Sequence, residues 1–84
     1  MRGECQSCGA WDNLEVHHIF EGRGRREKSD RYGAMISICP KCHRHLHDYP
    51  LEMLPWKQVF QQKLMMENGW TTEDFIREFG RSYL

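Results

Sequence analysis

A chain of 84 residues, 39% hydrophobic and 29% charged, is a single thin domain that buries too little apolar surface to stand comfortably on packing alone, so a stabilising cross-link is expected. No apolar run approaches the roughly 18 residues of a spanning helix, and Arg2 and Glu4 lead into a polar stretch where a secretory leader would be apolar; a membrane protein is excluded and a cytoplasmic location is expected. Twelve basic residues balance twelve acidic ones, so overall charge argues neither for nor against a nucleic-acid partner.

In chain order, Cys5-Gln-Ser-Cys8-Gly9 is a CxxCG turn. The segment from Leu14 through Val16, His17 and His18 to Phe20 begins with the alternation of a short strand. Gly22 to Gly33 reads as an exposed loop, because glycine and charge replace any apolar period. Within it Arg23, Arg25, Arg26, Lys28 and Arg31 face only Glu27 and Asp30 in opposition. Met35-Ile36-Ser37-Ile38 is a second short strand, and the spacing suggests an antiparallel pair with a functional loop between. Cys39-Pro40-Lys41-Cys42-His43 follows, with Pro40 suited to the first turn of a helix that carries His43 and His47 and ends before Pro50. Pro55 opens another helix, in which Trp56, Val59, Phe60 and Leu64 recur at helical spacing until Asn68-Gly69 stops it. Thr71 or Thr72 caps a last helix with Phe75, Ile76 and Phe79 as its buried stripe and Gly80 at its end. The domain is expected to be 1–84, with a core over 1–50 and a helical extension over 51–84.

All five histidines and all four cysteines fall in the first 47 residues, which concentrates the chemistry there. Two CxxC turns, Cys5/Cys8 and Cys39/Cys42, predict a tetrahedral four-thiolate site suited to structural zinc. Two disulfides would need an oxidising compartment, and a redox reading would need only one such motif in a βαβ setting. Zinc also supplies the cross-link the short chain requires, since its binding free energy becomes folding free energy.

The zinc turns tie the start of the first strand to the junction of the second strand and the helix. His17 and His18 are neighbours on a strand, so their side chains diverge, whereas His43 and His47 are four apart on a helix and share a face. If His17 meets that face, three imidazoles converge on one divalent ion, leaving His18 beside it to move a proton. The plainer alternative is a zinc ribbon with mixed Cys/His ligation and the remaining histidines at the surface. His45, on the opposite helix face, reads as a solvated side chain.

These residues resemble the HNH family of the ββα-metal (His-Me finger) nucleases. The carriers are Leu14-Glu15-Val16-His17-His18-Ile19, then Cys39-Pro40-Lys41-Cys42-His43 with His47, framed by the CxxC pairs. The chain is similar to small HNH proteins of phages and prophages, including the ending from Asp74 to Leu84. The resemblance implies a small α+β fold, a zinc-stabilised ββα-metal finger of two short antiparallel strands and a helix, followed by C-terminal helices. It implies that His17, His43 and His47 hold a catalytic divalent metal and that His18 is the general base. Ala34 stands where many members have Asn, so the group that orients His18 is left among a loop carbonyl, Ser29, Asp30 and Tyr32.

The activity so implied is metal-dependent hydrolysis of DNA phosphodiesters, nicking or double-strand cleavage, giving 5′-phosphate and 3′-hydroxyl ends. Neutral imidazoles suit Zn²⁺, Mn²⁺, Ni²⁺ or Co²⁺ better than Mg²⁺. A four-thiolate zinc is net negative and a divalent ion on three imidazoles net positive, so charge neutral overall still favours phosphate at the second site. Arg23, Arg25, Arg26, Lys28 and Arg31 are the expected backbone contacts. DNA is the expected partner, with a second copy of the chain or a phage packaging protein as further ones. The rival functions are a zinc-ribbon binding module for DNA or protein, and an HNH fold without catalytic activity.

Overall fold

The computed structural model describes residues 1–21 and 24–84. The chain opens on two short antiparallel strands, β1 (Arg2–Glu4) and β2 (Trp11–Asn13), with Gly3 opposite Asp12. They were not legible as strands: each has three residues, almost all exposed, so no alternation exists to be read. The turn between them carries Cys5 and Cys8.

Strands β3 (Glu15–His18) and β4 (Met35–Ile38) form the expected antiparallel pair, with His17 opposite Ile36 and His18 opposite Met35. Ile36 and Ile38 face the core, and the chain leaving β3 plunges into it at once, since Ile19 and Phe20 are fully buried.

Between these strands the sequence predicts an exposed loop, and the structure instead has a helix, α1 (Arg25–Tyr32). Arg, Glu and Lys are good helix formers, but only Ser29 of its eight residues is buried, so the helix has no apolar stripe to announce it. Gly33, at φ 69°, closes it in the left-handed conformation that a side chain resists. Gly22 and Arg23, the start of the expected loop, lie outside the described residues.

Helix α2 (Pro40–Asp48) starts with Pro40 in its first turn, where the missing N–H costs nothing, and ends before Pro50 as expected. A 3₁₀ turn, Pro50–Met53, leads into α3 (Leu54–Asn68), which Gly69 terminates. Helix α4 (Thr72–Phe79) begins at a reciprocal cap: the Thr71 hydroxyl accepts from the Asp74 N–H at 3.2 Å, and the Asp74 carboxylate accepts from the Thr71 N–H at 3.0 Å. Two apolar assignments need correction. Val59 is 60% exposed and Ile76 39%, because α3 turns Gln61 and Leu64 inward and α4 turns Phe75 and Phe79 inward.

The core joins both halves of the chain. The Phe20 ring lies 4.6 Å from that of Phe79, 5.5 Å from Phe75 and 5.6 Å from Tyr83, centroid to centroid. Deleting such a ring costs about 3–5 kcal/mol. The C-terminal tail is fastened by buried Gln61, whose side-chain oxygen accepts from the Tyr83 N–H at 2.7 Å while its amide donates to the Ser82 hydroxyl at 2.9 Å. The C-terminal helices therefore anchor the residue that follows the His17-His18 pair by only two positions. Among the described residues no helix is long and apolar enough to cross a membrane.

Candidate active site

The four cysteines converge. All four Sγ atoms lie within 4.8 Å of one another, and Cys8 Sγ is 3.8 Å from Cys39 Sγ. With Zn–S bonds near 2.3 Å, a tetrahedral site places its sulfurs about 3.8 Å apart, so the spacing fits zinc. The cysteines are free, not bridged. The first turn is closed by Gly9 N–H donating to Cys5 O at 2.9 Å, with Gly9 at φ 80°. Cys39 caps α2 and brings Cys42 one turn along.

The donor set is prepared for a cation. Burial pushes the Cys5 thiol up, but amide N–H groups of Cys8, at 3.4 Å, and Cys39, at 3.3 Å, outweigh it and bring the thiol down to about 6. Burial among the other three sulfurs pushes Cys42 the other way, to about 12. Four sulfurs this close repel one another as thiolates form. A divalent ion removes that conflict, so the residues fit a structural zinc.

On the other side of α2, His17, His43 and His47 bring ring nitrogens within 4.8 Å of one another. His17 comes from β3, and His43 and His47 come from one face of α2. His17 is 3% exposed, and its Nε2 is buried without a hydrogen-bond partner. The nearest carboxylate oxygen, Glu21 Oε1, stands 3.5 Å away. A buried, unpaired imidazole nitrogen facing two further imidazoles is costly unless a ligand completes it. Burial holds His17 below the usual histidine range against an opposing pull from Glu21, and the neighbouring imidazoles lower it further, which favours the neutral form that binds metal. Glu15 Oε1 lies 2.9 Å from His43 Nδ1, which fixes that ring and leaves its Nε2 for the cluster. This donor set fits a divalent ion.

These side chains line one open pocket of about 380 Å³, together with Val16, His18, Glu21 and Arg26. His18 lines the same pocket although it neighbours His17 on β3. His18 Nε2 is 2.7 Å from Asp30 Oδ1 on α1. The three side chains among the candidates for bracing it divide the work. Ser29 is buried and clamps Phe20, donating to its carbonyl at 2.8 Å and accepting from its N–H at 3.1 Å. Asp30 touches the imidazole. Tyr32 is turned away, its hydroxyl donating to Glu78 at 3.3 Å. Ala34 is fully buried and takes part through its backbone alone, accepting from Ile19 N–H at 2.9 Å and donating to Ser29 O at 2.8 Å.

The basic residues divide as well. Arg26 lines the pocket and Arg31 is exposed on α1. The Arg25 guanidinium packs over Gly80, and Lys28 pairs with Glu78 at 3.3 Å, so both are turned toward α4. Arg23 lies outside the described residues. His45 is exposed beside Glu52, apart from the three-histidine cluster. Glu15 and Glu21 are site neighbours that sequence reasoning missed; their proximity to His17-His18 along the chain was the only available signal.

Residues 5–49 match the family model described as HNH endonuclease, over half the chain and spanning every cysteine and histidine of both clusters. The chain belongs to the HNH endonuclease family. No curated protein and no solved structure matches it. The HNH segment thus contains β3, α1, β4 and α2 whole, and the aromatic cluster of α4 lies beyond it while packing against its Phe20.

Proposed function

We propose that this protein is a metal-dependent endonuclease hydrolysing DNA phosphodiester bonds, with residues 1–84 acting as one domain. The observation that carries this is the buried, unpaired Nε2 of His17 facing His43 and His47, with His18 lining the same pocket, in a chain of the HNH family. A zinc-ribbon module has no need of a second, open cluster.

His17, His43 and His47 would hold the divalent ion, and Cys5, Cys8, Cys39 and Cys42 the structural zinc. The catalytic ion, when bound, supplies Lewis-acid stabilisation of charge on the phosphoryl and leaving oxygens. His18 takes a proton from the attacking water, a role to which an imidazole side chain is suited at neutral pH. Arg26, lining the pocket, holds the phosphate electrostatically, and Arg31 adds a backbone contact outside it. Arg25 and Lys28 contribute mainly to the α1–α4 contact. DNA is recognised through its phosphates, so binding is salt-dependent and only weakly selective in sequence.

Incubating supercoiled plasmid with the zinc-loaded protein in a series of Mn²⁺, Ni²⁺, Co²⁺, Zn²⁺ and Mg²⁺ tests the reading. Nicked or linear product with 5′-phosphate ends is expected with the first four and weakly with Mg²⁺. Intact plasmid throughout would leave a zinc-stabilised binding domain instead.

A further inference from the structure

We infer that Asp30 is the positioning residue of His18, selecting the tautomer in which Nδ1 is the proton acceptor. The inference rests on the nuclease reading for its consequence, but not for its geometry. A carboxylate can only accept, so the imidazole nitrogen 2.7 Å from Asp30 Oδ1 must carry the hydrogen. That nitrogen is Nε2, and Nδ1 is therefore left with its lone pair.

The contact is built rather than incidental, because the two residues are held from both sides. Asp30 follows Ser29, whose hydroxyl grips both backbone groups of Phe20, two residues beyond His18. The short segment Ile19-Phe20 is further tied by Ile19 N–H to Ala34 O, and Ala34 N–H returns to Ser29 O. The Phe20 ring is locked among Phe75, Phe79 and Tyr83. These bonds fix the end of β3 against the middle of α1, and so fix His18 against Asp30. The histidine side chain is 13% exposed and that of Asp30 59%. An exposed carboxylate is screened, so its orienting effect outweighs its charge. A positioned base contributes roughly 10²–10⁴-fold, and the loss of its orienting partner should remove about 10–10²-fold of that.

The test uses the full-length, zinc-loaded protein with Asp30→Ala and Asp30→Asn. Long-range ¹H–¹⁵N spectra, with His18 assigned by its absence in His18→Ala, report the tautomer directly. Wild type should show His18 as the Nε2–H form, Asp30→Ala a tautomer mixture, and Asp30→Asn, which keeps an acceptor oxygen, mostly the wild-type form. In plasmid cleavage, kcat should fall about 10–10²-fold in Asp30→Ala with KM and metal affinity unchanged, and Asp30→Asn should recover part of it. In a His18→Ala background, Asp30→Ala should have no further effect. An unchanged His18 tautomer in Asp30→Ala, or additive losses in the double variant, would overturn the inference. Absence of cleavage by wild type would overturn the nuclease reading alone, since the tautomer still decides the role of Asp30.

Discussion

Replacing Ser29 with Ala removes one oxygen and should cost about 2–4 kcal/mol. The hydroxyl is fully buried and serves both backbone groups of Phe20, its N–H at 3.1 Å and its carbonyl at 2.8 Å. Alanine fits the space but offers neither group a partner, and each buried polar group left unpaired costs about 1–3 kcal/mol. Both lose the same partner, so the combined figure stays below the sum of the maxima. Stability near 0.05–0.15 kcal/mol per residue gives a chain of 84 residues roughly 4–13 kcal/mol in all, so the loss is a large share of the margin. Urea unfolding followed by tryptophan fluorescence measures it, at a fixed free zinc concentration because zinc binding raises apparent stability. Exposed Gln62→Ala is the control, expected within about 0.5 kcal/mol of wild type. If Ser29→Ala also stayed within about 0.5 kcal/mol, Phe20 would have other partners and the clamp on the end of β3 would carry no weight.

Cys5→Ser or Cys39→Ser should leave the protein largely unfolded, because zinc binding is comparable to the whole stability margin; a well-dispersed NMR spectrum would contradict this. Gly80→Ala should destabilise by about 1–2 kcal/mol, since Gly80 sits at φ 89° and an added Cβ would meet the Arg25 guanidinium; a thermal midpoint equal to wild type would argue against that contact. Arg26→Ala should weaken DNA binding and flatten its salt dependence more than Lys28→Ala, which loses only the Glu78 pair; equal effects in a salt titration would remove the distinction. The Thr71 amide, more than Arg77, holds the Asp74 carboxyl below its usual range, so its contribution is present above the unfolded value near 3.8 and fades as pH falls through the lower folded value. Helicity by circular dichroism should accordingly drop more steeply on acidification in wild type than in Asp74→Asn.

The residues that converge in the two clusters were legible in the sequence, the cysteines and the His43/His47 pair by spacing and His17 by its place on the strand beside them. A CxxC turn aims two sulfurs at a point, and residues four apart on a helix share a face whatever surrounds them. Pro40 and the Thr71-Thr72 pair likewise marked the starts of α2 and α4 by chemistry local to a few residues, and the structure settles the second cap on Thr71. What failed were elements lacking an apolar period. Helix α1 buries only Ser29, and β1 and β2 are too short and exposed to alternate. Val59 and Ile76 had the right spacing, but the face a helix buries is set by its partner. The choice of Asp30 over Tyr32 beside His18 depended on α1 being a helix at all: in a helix the two point apart, one to the pocket and one to Glu78.

The central claim is that His18 moves the proton while His17, His43 and His47 hold the ion. The measurement that tests it most directly is the plasmid cleavage rate of His18→Ala at saturating metal, with metal content determined on the same sample. A fall of about 10²–10⁴-fold with both metals and DNA affinity retained is expected. An unchanged rate, or loss of the second metal along with activity, would contradict the assignment.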